Sequence, residues 1–129
     1  MDLVMPNRSG FTLIEFLVSI VILMVGLLGL LQAVNLSYSH NMQNQIRNEA
    51  VAVVDEEMAK EIAKGYDNAS TTTKAYPVRR NVLTALKNYS VVRSGASLQN
   101  SKQINFEVRW RYKGAAYNHG ASTVLTKNN

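Results

Sequence analysis

The chain has no cysteine, two prolines, two histidines and one tryptophan in 129 residues. Without cysteine there is no disulfide framework and no thiolate zinc site, so any small domain here must hold itself together by packing. A domain of about 60 residues buries roughly 60% of its unfolded surface, which leaves it marginal in isolation. Neither proline falls between Phe11 and Gly65, so nothing in that stretch is bound to break a helix. His40 and His119 are too few and too isolated for a metal site and read as solvated polar residues. A Gly-rich phosphate loop, a nucleophile elbow and an HExxH helix are all absent. Glu107 has no second carboxylate near it, so general acid–base catalysis finds no support. These absences speak against an enzyme, and neither a cofactor nor a metal is expected.

Charge is also missing in places. No formal charge lies between Glu15 and Arg47, and after Asp67 the chain holds a single acid, Glu107. Between Arg47 and Asp67 three basic residues meet six acidic ones, a balance of −3. From Ser70 onward ten Lys or Arg face that one Glu, a balance of +9 within a net charge of +5. A surface so lopsided favours acidic partners such as nucleic acid, anionic polysaccharide or lipid headgroups, without choosing among them.

The charge-free stretch is the most informative part of the chain. From Phe16 to Leu31 it reads FLVSIVILMVGLLGLL, broken only by Ser19, Gly26 and Gly29. Counted from Phe11 to Leu31 the apolar run has 21 residues, about 31 Å as a helix, which matches a bilayer's ~30 Å hydrocarbon core. A chain of 129 residues cannot bury such a helix completely. A secretory signal is excluded too, because the run is too long and Leu31-Gln32-Ala33 puts a bulky leucine where a cleavage site needs a small residue. Arg8, just before the run, favours a cytoplasmic N-terminus and an exported remainder.

The helical pattern continues past the apolar run. Tyr38, Met42, Ile46, Ala50, Val54, Met58 and Ile62 follow at i+4 steps, Glu56 and Lys60 pair at i, i+4, and Lys60 and Lys64 load the last turn. Gly65 supplies a left-handed cap. The pattern predicts one helix of about 54 residues, roughly 80 Å long. Tyr66 to Tyr76 reads as loop. Pro77 opens a short helix with Val78, Val82, Leu83, Leu86 and Tyr89 on one face. Asn88 to Arg93 either continues it or begins a strand. Ile104, Phe106, Val108, Trp110 and Tyr112 alternate with polar residues and predict a strand that ends at Lys113-Gly114, with Trp110 in the sheet core. A last strand covers Ser122 to Thr126. The fold class is α+β, a long N-terminal helix on a small antiparallel sheet.

The octet Arg8-Ser9-Gly10-Phe11-Thr12-Leu13-Ile14-Glu15, running straight into a membrane-length apolar segment, resembles the prepilin signature of type IV pilins. The stretch Val25-Gly26-Leu27-Leu28-Gly29-Leu30-Leu31 is similar to that of PilV-like minor pilins, also called type IV pilus modification proteins. The resemblance implies that Gly10 is the last leader residue, cut by a prepilin peptidase, and that Phe11 becomes an N-methylated terminus. It further implies that Glu15 pairs with the terminal amine of a neighbouring subunit. A carboxylate in hydrocarbon costs on the order of 2.5–3.5 kcal/mol at a helix centre and less near an end, so it is expected to be paired. The implied partners are the peptidase, other pilins and minor pilins, the inner-membrane assembly machinery and membrane lipid. Gly26 and Gly29 permit close helix packing or local loosening. The expected divisions are a leader over 1–10, a membrane or filament-core half-helix over 11–31, an amphipathic half-helix over 32–65 and a small exported domain over 66–129. The expected function is a minor pilin in a tip or priming complex. The alternatives are a minor pseudopilin of a type II secretion system and a pilus-borne subunit binding DNA or an acidic polymer.

Overall fold

Helix α1 runs unbroken over Leu13–Ala63, 51 residues, in the structure of this chain, a computed structural model that describes residues 10–128. Of the expected leader, residues 1–9 lie outside the described part. The absence of proline and the supply of Leu, Met, Ala, Glu and Lys sustain the helix. It ends where Gly65 takes a φ of 73°, the left-handed geometry expected there. A single further turn, α2 (Gly65–Asn68), occupies the start of the segment read as loop.

The rest of the chain is a four-stranded antiparallel meander in the order β1 (Lys74–Val82), β2 (Ala85–Ser97), β3 (Ser101–Tyr112) and β4 (Ala115–Thr126). The strand expected over Ile104 to Tyr112 is found within β3, and the last strand is longer than expected. The helix expected from Pro77 is not formed: that segment is β1, a two-residue turn and the start of β2. Leu83 adopts a φ of 55° in that turn, which joins Val82 to its partner Ala85. Leucine pays about 1 kcal/mol or more for that conformation, so the turn carries none of the usual Gly or Asn signals. Tyr76, Val78 and Val82 alternate toward the core, and that period of two wins over the helical one. The β3–β4 turn is conventional, with Lys113 and Gly114 both at positive φ.

The chain divides after His40 into two compact units. In the unit from Asn41 onward, Ile46, Ala50, Val53 and Val54 of α1 pack with Tyr89, Val91, Ile104, Phe106 and Val108 of the sheet. The i+4 row read from the sequence covers the middle of this face but not its ends, since Tyr38 and Ile62 are exposed. Each i+4 step overshoots a turn by about 40°, so a strict row drifts off a straight face. Val53 and Glu61 are buried in its place. Trp110 lies in the core as expected, edge-on to Tyr89 at 6.2 Å and stacked on Tyr117 at 5.9 Å. The Tyr89 hydroxyl donates to the Ile46 carbonyl at 2.9 Å, and burial, with Glu49 nearby, pushes its pKa up to about 12.

Gly95 marks the tightest approach of the sheet to another segment. A Cβ there would lie 2.7 Å from the Gln103 carbonyl oxygen and 3.0 Å from the Thr71 Cα, both backbone atoms. Gly95→Ala is therefore expected to cost about 1–3 kcal/mol, read as a lowered Tm of the detergent-solubilised chain. An unchanged Tm would show that the 69–73 segment does not sit against β2.

Candidate functional site

The helix begins with a reciprocal cap. Thr12 is the residue before α1, and the Glu15 amide donates to its Oγ1 at 3.3 Å. The Thr12 amide in turn donates to Glu15 Oε2 at 2.9 Å. This satisfies two of the backbone donors that every helix start leaves without a partner. The reading of Glu15 as a lone acid in need of an amine missed this second role, although Thr-x-x-Glu ahead of an apolar run is its sequence signal. A carboxylate can accept about four hydrogen bonds, so the cap leaves room for another donor.

Gly10 and Phe11 precede the helix, both exposed, with Phe11 92% accessible. The Gly10–Phe11 peptide bond thus lies outside regular structure. Behind it the apolar side chains from Leu13 to Leu36 project all round α1 and are exposed among the described residues. The helix is long and apolar enough to cross a membrane, and none of its most apolar 18-residue window is buried. Burying each such Leu, Ile, Val or Phe is worth about 1.5–3 kcal/mol, a large driving force toward lipid or other helices. Gly26 and Gly29 have no neighbour within 4 Å of where a Cβ would stand, so no contact inside this chain requires them.

Two basic residues of the +9 segment, Arg80 and Arg93, reach acids of the −3 segment. Arg93 Nη1 meets Glu61 Oε1 at 2.6 Å, and Lys64 Nζ meets the same oxygen at 2.6 Å. Arg93 also donates to Ser70 Oγ at 3.2 Å and the Thr72 carbonyl at 3.4 Å, pinning the segment between α2 and β1. Arg80 pairs with Glu56 and lies 3.8 Å from Glu49. The Tyr76 hydroxyl donates to Glu57 at 2.5 Å, and Lys102 Nζ donates to the Tyr66 and Ala69 carbonyls at 2.6 and 3.1 Å. On the sheet face turned from α1, Arg109 pairs with Glu107 at 2.9 Å. Arg80, Arg93, Lys102 and Arg109, four of the ten basic residues after Ser70, are thus engaged within the chain. His40 is exposed and His119 half-buried. Among the described residues no three His, Cys, Asp or Glu side chains gather as a metal site would require.

Residues 5–31 match the family model described as the prokaryotic N-terminal methylation motif. No curated protein and no solved structure matches the chain. The motif, with the long apolar helix that follows, supports a membrane-anchored type IV pilin-like protein, a structural subunit rather than an enzyme. It implies processing by a prepilin peptidase and assembly with other pilins.

Glu61 makes the packing of α1 on the sheet pH-dependent. It is 3% exposed; burial pushes its carboxyl up, but Lys64, the Ser70 amide and Arg93 outweigh this and hold it below the ordinary value. Burial likewise opposes Tyr76 and Lys60 at Glu57, with the same net lowering. A depressed folded-state pKa contributes stability above the unfolded pKa of about 4.3 and loses it as pH falls through the folded value. The Tm of the solubilised chain should hold from about pH 7 to about pH 5 and fall below about pH 4. Glu61→Gln should cost about 3 kcal/mol at neutral pH and flatten that fall. A Tm indifferent to acid in the parent chain would refute the assignment.

Proposed function

We propose that this chain is a minor pilin of a type IV pilus, of the PilV-like kind, incorporated in a tip or priming complex. The observation that carries the reading is the methylation-motif match over residues 5–31, continuous with an apolar helix surface that is exposed among the described residues. On this reading residues 1–10 are the leader, 11–31 the membrane and filament-core segment, 32–65 the amphipathic half of the helix and 66–129 the exported domain. The precursor sits in the inner membrane with its N-terminus cytoplasmic. Prepilin peptidase cuts after Gly10 and methylates Phe11. The inner-membrane assembly machinery then passes the subunit into the pilus at the cell surface.

Helix physics supports a role for Glu15 in that step. Cleavage leaves a cationic amine at Phe11, at the end of a helix whose dipole already carries partial positive charge. A cation there is disfavoured unless a carboxylate answers it. Glu15 stands one turn away, and it is the one charged residue between Gly10 and Ile46. Within the subunit its carboxylate caps the helix; toward a neighbour's amine it sets the register of packing. Gly26 and Gly29, without a reason inside the chain, suit close approach of a second helix or local loosening of α1.

Mass spectrometry of the membrane-extracted protein is expected to find a mature chain beginning at N-methylated Phe11. An intact Met1, or a cut beyond Leu31, would contradict the proposal. Deleting the gene is expected to reduce piliation and twitching. Loss of exoprotein secretion with pili intact would instead assign the chain to a type II secretion system, as a minor pseudopilin.

A further inference from the structure

The two edges of the sheet are built differently. β1 carries Lys74, Pro77, Arg79 and Arg80, the charges and proline that keep a free strand edge from pairing with other chains. β4, at the other edge, runs for 12 residues, AAYNHGASTVLT, without Lys, Arg, Asp, Glu or Pro. Its register with β3 is unbroken from Ser101↔Thr126 to Tyr112↔Ala115, so no bulge twists the edge away. Residues alternating toward the exposed side include Ala116, Gly120 and Ser122, which present no long side chain to an approaching strand. Among the described residues no strand pairs with β4 on its outer side, where half of its backbone donors and acceptors point.

We infer that the outer edge of β4 pairs with an extended segment of another polypeptide, uncharged over about thirteen residues and bracketed by acidic side chains. The bracketing follows from the ends of the strand. Lys113 lies in the turn before β4 and Lys127 directly after it. Two copies of β4 paired antiparallel would set Lys127 of one beside Lys113 of the other at both ends. A parallel pair would align each lysine with itself. Like charges at those positions oppose self-pairing, and acids there favour a different partner. The inference rests on the sheet edge and is independent of the filament reading.

The test uses the full chain in detergent micelles and a labelled synthetic peptide of about fifteen residues, alternating Thr and Val, with Asp first and Glu last. Binding is expected by fluorescence anisotropy, with slowed amide exchange confined to β4. Replacing the two acids by Lys should weaken binding about tenfold, and a central Pro in the peptide should abolish it. Ser122→Lys, on the exposed side of β4, should also weaken binding about tenfold while leaving the Tm unchanged. Absence of binding, protection elsewhere than β4, indifference to the end charges, or dimerisation of the chain through β4 would each overturn the inference.

Discussion

A helix whose first half is exposed among the described residues is the constraint on which this structure depends. From Leu13 to Leu36 α1 offers apolar side chains in every direction, and water is a poor solvent for such a surface. Lipid satisfies it without geometry, whereas other helices satisfy it with a register. At the head of this surface stands one carboxylate, held by Thr12 in a reciprocal cap. The cap fixes where the helix starts and leaves the Gly10–Phe11 bond outside it. The same acid therefore serves the chain alone and remains able to accept a further donor.

The second half of α1 solves a different problem. Its apolar stripe packs on the sheet with no disulfide to help, and ion pairs flank it. Acidic groups along the helix, Glu56, Glu57 and Glu61, meet Arg80, Tyr76 and Arg93 from two strands. Glu61 and Arg93 are both largely shielded from water, so their pairing holds α1, β2 and the 69–73 segment together. Two of the ten basic residues after Ser70 thus serve the chain's own packing.

Much of this was legible beforehand. The apolar run, the unbroken helix, the Gly65 cap and the alternation of Ile104 to Tyr112 each rest on one local rule that no competing local signal opposes. What was misread had conflicting or absent local signals. Val78, Val82, Leu83, Leu86 and Tyr89 fit a helical face, and a turn built on Leu83 at positive φ gives no warning of a hairpin. The first half of β4, with Asn118, His119 and Gly120, has weak strand propensity and is a strand because β3 pairs with it. The Glu61–Arg93 pair joins residues far apart in sequence, and no spacing rule could select it among ten basic residues. At the candidate site, Gly10, Phe11 and Glu15 were readable as a motif. The capping role of Glu15 was readable too, from Thr12 three positions earlier.

The cap made by Glu15 and the assembly role proposed for it can be separated by one substitution. Gln at position 15 can still accept the Thr12 amide and keep the cap, but it removes the charge offered to a terminal amine. The most direct measurement is the amount of the Glu15→Gln chain recovered in sheared pili relative to the parent, at equal membrane levels. The account predicts a severe loss from pili with α1 intact by circular dichroism. Recovery at the parental level would contradict it, because the carboxylate would then be a helix cap and nothing more.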